Sequence, residues 1–168
     1  MFSKNEYVFH ESGGVCVIAD IQFAPLDNMP SDRQYYIIRP LHDPNSMIYI
    51  PVDSDCIFLR RLLNREEAET LLGEMSSVSV IEEPNAKLLR AKYVEAMRSH
   101  QPIEWVRVIK TVSMRGKLLA ARSQRLSETE RSFAENAKRH LYGELAIALG
   151  KQENEMEGFL AEYLMNPA

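Results

Sequence analysis

The chain has 168 residues, 45% of them hydrophobic and 26% charged, with a net charge of −4 at pH 7. That length suits one generous domain or two small ones, and the mixture of apolar and charged residues excludes a disordered chain. No run approaches the roughly eighteen consecutive apolar residues of a membrane span, and Met1 to Glu6 is polar where a secretory signal carries its apolar core, so a cytoplasmic protein is expected.

From Tyr7 to Phe58 the pattern is that of strands. Val8, Val15, Val17, Ile18 and Ile21 are rich in β-branched residues, and Gly13-Gly14 permits a tight turn or a bulge. Pro25 to Arg33 holds two prolines and reads as a loop. His42-Asp43-Pro44-Asn45-Ser46 is a turn signal between two apolar runs, which predicts a hairpin of strands 35–41 and 46–52. Several short strands in so few residues predict a small SH3-like or Tudor-like barrel, near the lower size limit for independent stability. Cys16 and Cys56 both fall in apolar runs, have no histidines at zinc-binding spacing, and are expected to be core thiols.

Helical signals follow. Asn64 and Glu67 have the spacing of a reciprocal capping box, opening a helix to about Met75 with Glu66 and Glu67 at its positive end. Ser76 to Glu83 reads as a linker, with a brief extended stretch at Val78 to Ile81. Leu88, Tyr93 and Met97 mark the apolar stripe of a helix ending near Ser99. Pro102 suits the first turn of another, in which Trp105, Val108, Ile109 and Val112 recur at helical spacing. Ser127 and Glu130 form a second capping-box pattern, leading into Phe133, Ala137, Leu141 and Leu145, and Gly150 is placed to end that helix. A last helix carries Met156, Phe159, Leu160 and Tyr163. The expected architecture is α+β: a β module over 1–62, then a helical bundle over 63–168.

The net charge conceals an asymmetry. Between Ala86 and Arg139 there are thirteen Lys or Arg against five Asp or Glu, while the rest of the chain is acidic. Lys87, Arg90 and Lys92 gather at the start of one helix, and Arg107, Lys110, Arg115, Lys117, Arg122 and Arg125 follow along the next helix and its connecting loop. Such a distribution suits phosphate contacts, which are salt-dependent and indifferent to sequence; it equally suits the solvated face of long helices. No zinc finger or recognition-helix pattern indicates base readout.

Catalytic patterns are thin. His10, Glu11 and Ser12 read as strand neighbours whose side chains point to opposite faces and do not converge. Glu66, Glu67 and Glu69 suit the helix dipole better than a metal, and His100 and His140 have no nucleophile or metal partner at a recognisable spacing. Gly13-Gly14 lacks the lysine and following helix of a phosphate loop. No enzyme, cofactor or metal is expected. A hydrolase or ligand-binding domain would require a deep pocket with convergent polar groups.

The order and spacing of three blocks carry a resemblance. They are Val8-Phe9 with Ser12-Gly13-Gly14-Val15, then Tyr36-Ile37-Ile38 with Met47-Ile48-Tyr49-Ile50-Pro51, then Leu126-Ser127-Glu128-Thr129-Glu130 with Leu141-Tyr142-Gly143-Glu144-Leu145-Ala146. With them the chain resembles the CarD/CdnL-like bacterial transcription regulators, whose N-terminal module is shared with the transcription–repair coupling factor; no helicase motifs of that factor are present. The resemblance implies a Tudor-like domain that binds the RNA polymerase β subunit and a helical domain that touches promoter DNA and favours the open complex. It places Arg39, Met47, Tyr49 and Pro51 toward polymerase, by strand augmentation. By alternation Ile48 and Ile50 would face inward and Met47 and Tyr49 outward, although these residues could equally close the barrel core. It places Lys87, Arg90 and Lys92 toward DNA phosphates, and the basic segment adds Arg122 and Arg125 as candidates for the same contact. Two departures stand out: His10 and Ser12 replace the family's proline and histidine, and Pro84-Asn85-Ala86-Lys87 lacks the tryptophan that wedges the minor groove in better-known members. Trp105 lies on the apolar stripe and reads as core. The implied partners are polymerase and promoter DNA, with no membrane or small-molecule substrate; an adaptor on polymerase without DNA contact is the alternative.

Overall fold

The computed structural model describes residues 1–55 and 57–165, and the chain divides into two compact units, Met1–Leu62 and Leu63–Ala168. Cys56, one of the two expected core thiols, lies outside the described residues.

The first unit is a curled, five-stranded antiparallel half-barrel. Its strands are β1 (Tyr7–His10), β2 (Gly14–Phe23), β3 (Gln34–Pro40), β4 (Ile48–Pro51) and β5 (Leu59–Arg61), in the order β4-β3-β2-β1-β5. The hairpin expected around residues 42–46 is β3 and β4, with Ile38 opposite Ile48 and Tyr36 opposite Ile50. One apolar cluster forms from Val8, Cys16, Ile18, Tyr36, Ile38 and Ile50, with Ile21 packed against it. Strict alternation would send Ile18 and Ile21 to opposite faces. The register between β2 and β3 shifts between Ile18 and Asp20, and that bulge returns both isoleucines to the same side. Cys16 is fully buried, and burial pushes its thiol up to about 12, so it is an inert part of the core.

The β1–β2 turn corrects one reading. Ser12 is a turn residue rather than a strand residue, and its side chain meets that of His10, with Ser12 Oγ 3.1 Å from His10 Nδ1. The same nitrogen accepts the backbone N–H of Gly13 at 3.1 Å. A buried imidazole thus holds the turn closed, while Gly14 takes the left-handed conformation at φ 66°.

The second unit holds α1 (Arg65–Glu74), α2 (Ala86–Arg98), α3 (Pro102–Ala121), α4 (Glu128–Leu149) and α5 (Met156–Met165), with single 3₁₀ turns at Met75–Ser77 and Glu153–Glu155. Asn64 and Glu67 form the full capping box of α1. Ser127 caps α4 through Glu130 N–H, and Gly150 ends that helix at φ 67°. Between α1 and α2 no strand forms at Val78 to Ile81; instead Ile81 N–H donates to Thr111 Oγ1 at 2.9 Å. The core holds Trp105, Val108, Ile109, Val112, Ala137, Leu141, Leu145, Met156 and Leu160, as the helical periodicities implied. Fully buried Glu144 accepts the N–H of Leu63 at 2.8 Å, fastening the start of the unit to α4.

The α2 stripe holds at Tyr93, and its two flanking positions were each read one residue out. Leu89, Tyr93 and Ala96 face the core, whereas Leu88 is 53% exposed. The helix starts at Ala86 behind Asn85, whose side chain accepts Leu88 N–H, and that cap sets the phase.

Gly13 gives a sharp test of the first unit. A Cβ there would lie 2.9 Å from Cys16 Sγ and 3.1 Å from Ile48 Cδ1. Gly13→Ala is expected to destabilise the half-barrel by about 1–3 kcal/mol through overpacking, read as a lowered denaturation midpoint; an unchanged midpoint would show the turn to be looser than described.

Candidate functional site

The register gathers part of the first candidate surface. Tyr49 stands opposite Ile37 and Pro51 opposite Tyr35. Residues 35, 37 and 39 share one face of β3, so Arg39, Tyr49 and Pro51 lie on the same side, away from Ile48 and Ile50. Met47 precedes β4 by one residue and is 42% exposed. Strand β4 pairs only with β3 among the described residues, making it an edge. Val52 N–H bonds Gln34 O at 2.9 Å, so in the antiparallel alternation it is residues 48 and 50 that exchange bonds with β3. The amide and carbonyl of Tyr49 therefore point outward from the edge. Pro51 has no amide and limits how far another strand can zip along it. Nearby, the buried Nε of Arg39 has no hydrogen-bond partner among the described residues.

The basic segment separates into two sets once its neighbours are known. Arg115 donates to both oxygens of Glu130 at 2.7 and 3.0 Å, and Tyr93 Oη donates to the same carboxylate at 3.0 Å. Lys110 donates to the carbonyls of Met75, Ser76 and Val78 at 2.7–3.1 Å, closing the end of the 3₁₀ turn. Arg107 pairs with Glu104, Arg131 with Glu128, and Lys138 with Glu135 and Glu157, while Arg139 bonds Asn136. Lys92, expected among the free cations, bonds Glu83 at 3.0 Å, and that bond holds the Glu83 carboxyl below its ordinary range. Glu83 lies in the segment before α2, which is why helical spacing within α2 did not disclose it.

Lys87, Arg90, Arg98, Lys117, Arg122 and Arg125 remain without a side-chain hydrogen bond or ion pair among the described residues. Sequence reasoning missed Arg98. It sits three turns after Lys87 on the solvent side of α2, where Lys87, Arg90, Arg98 and Glu95 flank Ala91 and Val94 in an open groove of about 730 Å³. Arg122 and Arg125 are exposed where α3 gives way to the loop before α4. There Ser123 is left-handed at φ 56°, and Gln124 N–H reaches back to Leu119 O at 2.8 Å, a Schellman ending that fixes the loop. Leu88 adds an exposed apolar side chain beside Lys87 in the first turn of α2.

Among the described residues no group of three or more His, Cys, Asp or Glu is placed to hold a metal ion. No described helix is long and apolar enough to cross a membrane.

Residues 2–63 match the family model of the CarD-like/TRCF RID domain. The N-terminal unit is a CarD-like/TRCF RID domain. The matched domain family is one of RNA polymerase-interacting, transcription-related proteins. The RID match covers all five strands and ends as the helical unit begins, and among curated proteins no match to the chain was found.

Glu130 gives the electrostatic test of the helical unit. The Arg115 guanidinium, then the Tyr93 hydroxyl, hold its carboxyl below the ordinary 4.5. A carboxyl depressed in the folded state contributes stability above the unfolded value, and that contribution disappears as pH falls through the folded one. Glu130→Gln is expected to cost about 2 kcal/mol at neutral pH and to flatten the loss of thermal stability on acidification below pH about 4.5. Melting curves of the two proteins across that range should converge; parallel curves would remove Glu130 from this role.

Proposed function

We propose that this protein is a polymerase-tethered transcription regulator rather than an enzyme, acting in the cytoplasm wherever its polymerase engages DNA. The RID domain binds the polymerase β subunit along edge strand β4, with Tyr49 offering backbone groups to a partner strand and Arg39, Met47 and Pro51 framing the contact. The helical unit then lies against promoter DNA. Lys87, Arg90 and Arg98 on α2, and Arg122 and Arg125 in the α3–α4 loop, contact phosphates, and the effect is on open-complex stability. Tethering supplies a high effective concentration, so the DNA contact can be weak on its own.

One observation carries the DNA half of this reading: the free cations of the basic segment occur at α2 and at the end of α3, while its inward-directed cations are consumed by Glu130 and by backbone carbonyls. Their charge is thus available to a polyanion outside the protein. Leu88 supports a sharper contact than charge alone. An exposed leucine in the first turn of a helix, next to Lys87, is the type of apolar side chain that minor-groove proteins press against base steps.

Two pairs of substitutions separate the two functions. Arg39→Glu with Tyr49→Ala is expected to abolish capture of polymerase while leaving the helical unit folded. Lys87→Glu with Arg90→Glu is expected to leave capture intact, shorten the open-complex lifetime, and reduce the log–log salt slope of that lifetime by about 2, one per phosphate contact. Full capture by the first pair would displace β4 as the docking strand. An unchanged lifetime and salt slope in the second pair would favour an adaptor that makes no DNA contact.

A further inference from the structure

Helix α3 has two apolar faces, and only one of them is filled. Trp105, Val108, Ile109 and Val112 run along the buried side. In the C-terminal half the opposite side carries Met114 and Leu118, which are 37% and 57% exposed and one helical turn apart. They do not stand alone on a convex surface. Val80, from the segment before α2, and Leu164 of α5 rise beside them and make a groove of about 420 Å³. A helix apolar on both sides normally has something packed on each.

The charges around this groove have one sign. Lys110 and Lys117 line it, and no carboxylate does among the described residues, in a protein whose net charge is −4. Lys110 is held in place by the carbonyls of Met75, Ser76 and Val78. Lys117 makes no ion pair or side-chain hydrogen bond among the described residues and is exposed. The apolar floor therefore selects side chains that leave water, and the lysines select an acidic surround. Shape narrows the occupant further. The floor follows α3 from Lys110 to Leu118, about 12 Å at the rise of an α-helix, long enough to receive successive turns of a second helix. Its concavity suits inserted side chains better than a flat lipid surface.

We propose that the Val80–Met114–Leu118–Leu164 groove is a docking site for an acidic amphipathic helix of a protein partner, with apolar anchors in the groove and carboxylates toward Lys117. The site is separate from the proposed DNA contacts at Lys87 and Arg90, so a partner there would give the helical unit a second attachment with its own specificity.

The probe is a short labelled model helix with leucines at i, i+3 and i+7 and glutamates on its other face, titrated with the full chain and followed by fluorescence anisotropy. Saturable binding is expected, weakened about tenfold by Leu118→Glu and several-fold by Lys117→Glu. Met114→Gln should also weaken it, giving a second apolar variant, and thermal melts should show all three proteins folded. Lys87→Glu with Arg90→Glu should bind the probe as the wild type does. The proposal is overturned if the probe does not saturate, or if a version with lysine in place of glutamate binds as well. It is equally overturned if the wild type self-associates through this face and Leu118→Glu abolishes that, assigning the groove to a second copy. Leu118-dependent binding to anionic vesicles in place of the probe would assign it to a lipid surface and would also overturn it.

Discussion

The carboxylate of Glu130 is the constraint on which the helical unit depends. From the first turn of α4 it receives both arms of Arg115 on α3 and the hydroxyl of Tyr93 on α2. Three helices meet at one anion, and the charge-assisted, two-pronged geometry admits only one arrangement of their side chains. Such a partly buried pair adds modestly to stability, because desolvation offsets much of the attraction, but it fixes register. With Tyr93 held, Leu89 and Ala96 turn inward with it, and Lys87, Leu88, Arg90 and Arg98 are left facing water. The surface proposed to meet DNA is in this sense the reverse side of the Glu130 site.

The same residue explains why a charge count overstates the basic surface. Arg115 is neutralised inside the unit, Lys110 serves three backbone carbonyls, and Lys92 is taken by Glu83. What remains is a smaller set on α2 and around the end of α3. A short, weak phosphate surface suits the proposed reliance on a separate domain for its address. The RID domain has the complementary economy: its bulge keeps Ile18 and Ile21 in one core, and its β3–β4 hairpin leaves a short edge, at the far side of the sheet from β5, with the Tyr49 backbone outward and Pro51 stopping it.

Much of the fold was legible because its signals are local. The Asn64–Glu67 box, the proline opening α3, the glycine ending α4 and the turn between β3 and β4 each act within a few residues, and each appears in the structure. The departures come from longer range. Glu130 had the spacing of a reciprocal cap, yet Arg115 and Tyr93 claim its carboxylate. Lys92 was read with its helix neighbours, while its partner lies in the segment before the helix. Leu88 was put in the core because two adjacent leucines fit either phase; the Asn85 cap and buried Tyr93 chose Leu89. His10-Glu11-Ser12 was read as a strand whose adjacent side chains diverge, but the chain has already become a turn at Ser12, where the Ser12 hydroxyl reaches His10. The β4 surface was readable from alternation alone, but the outward direction of the Tyr49 amide needed the hydrogen-bond phase of the sheet.

The central claim is that polymerase binding by one unit brings α2 of the other onto promoter DNA. A photoreactive amino acid at position 88 in a reconstituted polymerase–promoter complex tests it directly. The account requires DNA crosslinks from position 88 that vanish when Arg39→Glu and Tyr49→Ala are introduced. Crosslinks from position 88 to protein alone, or DNA crosslinks that persist without polymerase docking, would contradict it.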